Sequence, residues 1–234
     1  MVNYLQHYIS GFISLIYPQV CIVCGNHLVQ SEKSICQQCV IDLPKTGFHL
    51  LQNNPVEKLF WGKIHVEFAS AFFFFQKGSV AQKLLHNLKY KGNKEIGIEL
   101  GKHYATELVR SSLIDTIDYI VPVPLHKNKL KKRGYNQSEM IALGLSQVLS
   151  IPVETDTLVR AIENPTQTKK GVFERWENTY GVFTITNTQQ FANKHILLVD
   201  DVLTTGSTIE ACVQAIKQAP NAKVSFISLA LASN

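Results

Sequence analysis

Apolar residues fall along this chain in two alternating patterns, short continuous runs and positions spaced by three and four, and the alternation predicts strands separated by helices. The run V-E-F-A-S-A-F-F-F-F-Q at residues 66–76 is rich in Phe and bounded by Gly78, which predicts a strand. Ser79 then stands where an N-cap belongs, ahead of Val80, Leu84, Leu85 and Leu88 at helical spacing. Gly92 stops that helix, and residues 96–109 predict the next. D-Y-I-V-P-V-P at 118–124 reads as a strand ending in two prolines, and Ile141, Leu145, Val148 and Leu149 mark a further helix. Of the five residues 195–199, four are large and apolar, the pattern of a strand buried on both faces of a parallel sheet. Residues 223–232 predict a last strand that closes the sheet, so the class is α/β, a central mainly parallel sheet flanked by helices.

Outside this core the pattern weakens. Residues 40–66, with Pro44, Gly47, Asn53, Asn54 and Pro55, predict a connector with a little helix near 56–61. Residues 1–17 place Leu5, Ile9, Phe12, Ile13 and Ile16 along one side of a short amphipathic helix, ended by Pro18. Its polar side lacks Lys and Arg, so it predicts a helix docked on the core rather than a membrane-surface anchor. It has no basic start and no unbroken apolar centre, unlike a signal peptide. No run approaches the roughly 18 apolar residues of a membrane span, so the expectation is a cytoplasmic protein without stable membrane insertion. Residues 158–183 are polar and without sustained periodicity just before the 195–199 strand, which predicts a mobile flap.

With 234 residues, 45% hydrophobic and 18% charged, the composition is that of an ordinary globular chain long enough for a full core. The formal net charge of +5 matters less than where the charge lies. Lys127, Lys129, Lys131, Lys132 and Arg133 form a run without an acid, which is either a solvated basic turn or a partner for a polyanion. Arg133, Asn136 and Gln137 begin an otherwise apolar helix and are expected to face solvent or a ligand. Lys89 and Lys91 read first as charges compensating the end of a helix.

Four of the five cysteines, Cys21, Cys24, Cys36 and Cys39, form two C-x2-C knuckles eleven residues apart. Such a set can bring four thiolates to the corners of a tetrahedron, the geometry of structural zinc. Two disulfides are the alternative, disfavoured in a reducing cytoplasm. Four thiolates leave no open coordination position, so the metal would be structural rather than catalytic. His27 reads as a solvated loop residue and Cys212 as a buried apolar one.

The chemistry concentrates at residues 194–208, K-H-I-L-L-V-D-D-V-L-T-T-G-S-T. Asp200 and Asp201 follow a central strand, where open α/β sheets bind ligands beyond the strand ends. Thr204, Thr205, Gly206, Ser207 and Thr208 supply hydroxyls and a flexible turn, and Ser207 or Thr205 is placed to cap a helix beginning near Ile209. Free N–H groups and the positive helix end make that loop an anion cradle suited to a phosphate. The plainer alternative is a helix-capping loop after a core strand. An acid pair beside a phosphate cradle matches a ribose 5-phosphate.

V-D-D-V-L-T-T-G-S-T resembles the phosphoribosyl pyrophosphate (PRPP) signature of type I phosphoribosyltransferases. That resemblance implies their fold, with Asp200 and Asp201 on the 2- and 3-hydroxyls of ribose and Thr204 to Thr208 around the 5-phosphate. V-P-V-P-L-H, then K-R-G-Y-N-Q, together with the cysteine knuckles, resembles the ComF family, phosphoribosyltransferase-like proteins of DNA uptake in naturally transformable bacteria. The resemblance implies a small zinc module over residues 1–45, a connector over 46–66 and a phosphoribosyltransferase-like domain over 67–234. It implies PRPP and Mg2+ as ligands, with Arg133 stabilising negative charge on the leaving pyrophosphate. Single-stranded DNA and competence proteins are the implied partners. Asp200, Asp201 and Arg133 are the candidate catalytic residues for the other reading, a Mg2+-dependent transferase acting on a base or amine. Thr204 stands where 6-oxopurine enzymes carry an acid, which argues against those acceptors, and no cysteine near the start serves an amidotransferase.

Overall fold

In chain order the strands are β1 (Ala69–Phe75), β2 (Tyr119–Pro122), β3 (Leu158–Arg160), β4 (Phe183–Ile185), β5 (His195–Leu203) and β6 (Lys223–Ala232). The helices are α1 (Gln37–Ile41), α2 (Pro55–Lys58), α3 (Val80–Tyr90), α4 (Glu95–Leu108), α5 (Lys127–Arg133), α6 (Gln137–Leu149), α7 (Thr188–Phe191) and α8 (Ser207–Ile216). This structure, a computed structural model, describes residues 19–29, 32–160 and 182–232. The expected helix over 1–17 and the expected flap between β3 and β4 lie outside the described residues, apart from the flap's two ends.

The main sheet is parallel throughout, in the order β1, β6, β5, β2. The last strand therefore does not close the sheet at an edge as expected. It enters the middle, with Phe226 opposite Ala69 on one side and Leu198 on the other. Its burial accounts for the position, because residues 224–230 are buried and an edge strand would leave their backbone groups unpaired. β3 and β4 form a separate antiparallel ribbon.

Side chains alternate between the two faces of the sheet, as the strand period requires. Leu197, Val199, Ile227 and Leu229 join one cluster with Leu84 and Leu88 of α3, Leu100 of α4 and Ile141 of α6. Ile196, Leu198, Val224 and Phe226 join another with Ile209, Cys212 and Val213 of α8 and with Phe60. Each fully buried large side chain contributes roughly 1.5–3 kcal/mol relative to exposure. The helices of the first face also touch backbone to backbone, since a Cβ on Gly144 would lie 2.1 Å from the carbonyl oxygen of Ile98.

Short-range expectations fare well here. Ser79 caps α3, accepting from the Gln82 N–H at 3.3 Å. Asn54 caps α2 within a complete capping box, and its Nδ2 donates to the Ala69 carbonyl at 2.9 Å, tying the connector to β1. Cys212 is fully buried. The cysteine segment is less self-contained than its polar sequence suggests. Cys21, Cys36 and Cys39 are buried in the cluster of the first face together with Ile35, Val40 and Leu43. Glu99 of α4 accepts from the Lys33 N–H at 2.9 Å and the Ser34 N–H at 3.2 Å, fastening the loop between the knuckles.

Candidate functional site

The strand that carries the acids is longer than its apolar run. β5 continues to Leu203, still paired with β6, so Asp200 and Asp201 lie within the ladder rather than after it. Both are half-buried. Asp200 Oδ1 accepts from Ser138 Oγ at 3.0 Å and from the Asp201 N–H at 2.8 Å. Asp201 Oδ2 pairs with Lys89 Nζ at 3.0 Å. Burial, followed by the neighbouring Asp201 charge, pushes the Asp200 carboxyl up to about 7 against its hydrogen bonds.

The loop that follows is open where an anion would need it open. Thr204, Thr205, Ser207 and Thr208 are exposed, and Gly206 is buried with φ +85°. Gly206 itself occupies the N-cap of α8, which starts at Ser207, and no side chain caps the helix. The expected hydroxyl cap is thus absent, because the glycine turn replaces it and Thr205 and Ser207 meet each other instead, Oγ1 to Oγ at 3.2 Å. The first-turn N–H groups of a helix have no intrahelical acceptor, which makes them donors for an anion. Glu210 in that turn is paired with Lys63 at 3.0 Å, which offsets its charge. A side chain at 206 would collide with the ring beneath, since a Cβ there falls 2.9 Å from Phe60 Cε1.

The basic run is a helix rather than a loop. His126 Nδ1 accepts from the Asn128 N–H at 3.2 Å at its start, and Gly134 closes it in the left-handed conformation. Lys127, Lys129, Lys131 and Lys132 are exposed. Arg133 is half-buried, donating from Nη1 to Gln137 Oε1 at 2.6 Å and lying 5.3 Å from the centre of the Tyr90 ring. Asn136 and Gln137 face neither solvent nor an open crevice, as was expected of them. Asn136 is buried, donates to the Val123 carbonyl at 3.0 Å and caps α6 by accepting from the Ser138 N–H at 3.2 Å. Gln137 is buried and holds Arg133. Their polarity is satisfied within the fold.

The structure brings together one residue whose role the sequence left open. Lys89 sits in the last turn of α3, beside Tyr90, while the Tyr135 hydroxyl donates to the Leu88 carbonyl. The end of α3 is therefore stapled to the start of α6 and placed against Asp201. The only local signal was the string L-K-Y-K-G at a helix end, which equally fits a charge matched to the helix dipole. A cavity of about 710 Å³ bordered by His49, Trp61 and Arg110 includes neither acid.

The four cysteines converge. Their Sγ atoms all lie within 4.8 Å of one another, and Cys24 and Cys36 are 3.7 Å apart. Zinc–sulfur bonds of about 2.3 Å place thiolates roughly 3.8 Å apart in a tetrahedron, so the group could hold a metal ion, consistent with structural zinc. Burial raises the Cys21 thiol, but N–H groups of Cys24, Cys36 and Val23 outweigh it and bring the group down to about 7. That favours the thiolate a metal needs. His27 is exposed and outside the cluster.

Comparison with known proteins bears on the same regions. The phosphoribosyl transferase domain model matches residues 136–233, from the cap of α6 through β6. "DNA utilization protein YhgH" of Salmonella typhi is 31% identical over 208 residues, covering 86% of each chain. "Competence protein ComFC" of Bacillus subtilis is 27% identical over 192 residues, 81% of this chain and 68% of its own. Among solved structures, a glutamine PRPP amidotransferase from B. subtilis aligns with TM-score 0.43 at 17% identity, covering 62% of this chain and 30% of that one. The parallel sheet flanked by helices is a type I phosphoribosyltransferase domain, joined to an N-terminal cysteine cluster. No helix among the described residues is long and apolar enough to cross a membrane.

Proposed function

The chain belongs to the ComF family of competence and DNA-utilization proteins, and from that premise we propose that it acts in DNA uptake through a crevice that binds PRPP. The observation that carries the reading is the continuity of β5 into the exposed 204–208 loop and α8, with two half-buried carboxylates at the junction. In this reading Asp200 and Asp201 accept the ribose hydroxyls, and Thr204, Thr205, Gly206, Ser207 and Thr208 enclose the 5-phosphate. Arg133 supplies positive charge from the adjoining helix. Mg2+ accompanies the diphosphate, where a divalent ion neutralises the oxygen charges.

The cysteine cluster holds zinc as a structural element, in a cytoplasm where free thiolates persist. The exposed lysines of α5 are the surface offered to single-stranded DNA or to uptake proteins, as a polyanion is drawn to clustered positive charge.

Calorimetry with PRPP, with and without Mg2+, tests the reading on the wild type and on the Asp200→Asn, Asp201→Asn pair. Saturable binding that the double variant loses is expected, while retention of single-stranded oligonucleotides is expected to survive it. Heat-free injections into the wild type would sink the PRPP reading. Release of pyrophosphate on addition of a base or an amine would make the protein a working transferase instead.

A further inference from the structure

Two cations stand next to the acid pair, and they are held very differently. Arg133 is pinned, its guanidinium bonded to Gln137 at 2.6 Å and laid over Tyr90 at 5.3 Å. Among the described residues Lys89 has Asp201 as its one ionic partner, at 3.0 Å, with 23% of its side chain exposed. A lysine ammonium on a four-carbon stem can change partners by rotation, which a stacked and bonded guanidinium cannot do without breaking both contacts.

The two sides of the acid pair also differ. α3, which carries Lys89, buries Leu84, Leu85 and Leu88 in the cluster on one face of the sheet. α8, which the 204–208 loop leads into, buries Ile209, Cys212 and Val213 in the cluster on the other face. Lys89 therefore reaches Asp201 from the side of the sheet opposite the helix of the phosphate loop. A ribose ring held by its 2- and 3-hydroxyls extends its C5 and C1 substituents in opposite directions. With the 5-phosphate at residues 204–208, the C1 substituent points toward Lys89.

We infer that Lys89 is a specificity residue that exchanges Asp201 for the anion on ribose C1, and so separates a pentose bearing a C1 diphosphate from a pentose 5-phosphate. The inference rests on the PRPP reading of the crevice and adds a residue and a selection step to it. In the free protein the ammonium neutralises one of two adjacent carboxylates. When the sugar hydroxyls donate to Asp201, that carboxylate gains new partners and Lys89 turns to the diphosphate oxygens, with Arg133 fixed behind it.

Titrations of the full chain with PRPP plus Mg2+ and with ribose 5-phosphate, on wild type, Lys89→Met, Lys89→Gln and Lys89→Arg, test this directly. Loss of a charge-assisted contact predicts PRPP binding about ten- to hundredfold weaker in the two neutral variants. Ribose 5-phosphate is expected to change by less than about twofold or to bind more tightly. Lys89→Arg is expected to recover most of the PRPP affinity. Equal weakening of both ligands would make Lys89 only a support for Asp201 and overturn the inference, as would unchanged PRPP binding. A wild type that binds neither ligand would instead remove the PRPP reading itself. Two neutral variants of different shape guard against misfolding of one.

Discussion

Ser138 Oγ donates to Asp200 Oδ1 across 3.0 Å, so the first turn of α6 reaches over to the acid that burial most disfavours as an anion. The Asp200 carboxyl rises from 3.8 to about 7, chiefly by burial and then by Asp201. A group whose pKa is raised on folding contributes its full stability below the unfolded value, and loses it as pH climbs through the folded one. The ligand-free protein is therefore expected to weaken between about pH 4 and pH 7 through this group. Asp200→Asn should be more stable than wild type at pH 8 by about 2 kcal/mol, after discounting for solvent screening, and close to it near pH 4. Urea denaturation at both pH values measures the difference. A gap that does not change with pH would contradict the assignment.

Gly206 and Phe60 form the second testable pair. A side chain at 206 must adopt φ +85° and would meet the Phe60 ring at 2.9 Å. Gly206→Ala is expected to cost about 2–3 kcal/mol, combining the left-handed penalty with overpacking. Adding Phe60→Leu should recover part of the overpacking cost and leave the backbone cost in place. A double variant as unstable as the sum of the two single ones would show that no contact couples them.

Glu99 joins the cysteine segment to α4. Burial raises its carboxyl above the usual value, with the Ser34 and Lys33 N–H groups acting in the other direction. Glu99→Ala removes the acceptor for both N–H groups and should cost about 1–3 kcal/mol. Metal transfer to a chromogenic chelator should also be faster in the variant. An unchanged transfer rate would mean that the loop holds its shape without α4.

Removal of a thiol is expected to act beyond the metal. Cys36 is buried in the same cluster as Leu43 and Leu100, so Cys36→Ser should lose the ion and loosen the adjoining core. Purified wild type is expected to carry about one zinc per chain and to give a tetrathiolate absorption spectrum with Co2+. Chelation should lower its melting temperature by several degrees, as metal binding adds to folding free energy. Metal-free protein with full thermal stability would refute a structural role.

Much of this molecule is readable from short stretches of chain. Ser79 before Val80, Asn54 before Pro55 and the apolar run at 195–199 specify caps and a buried strand, because those preferences act over a few residues. The knuckle spacing of Cys21, Cys24, Cys36 and Cys39 likewise announces a cluster, since chain geometry alone brings each pair of thiols together. The order of strands is another matter. β6 lies between β1 and β5 because its faces are buried on both sides, and burial is a property of what surrounds a strand.

The same limit governs the site. Asp200 and Asp201 declare themselves locally, yet nothing near residue 89 names Asp201 as a partner 112 positions later in the numbering. Nor does the string R-G-Y-N-Q reveal that Asn136 and Gln137 turn inward to hold Val123 and Arg133. Local sequence settles which groups can donate, accept or bind metal, because that is covalent chemistry. Which of them meet, and how far burial shifts the charge of Asp200, follows from how the sheet packs its helices, because proximity and desolvation exist only once the chain has folded.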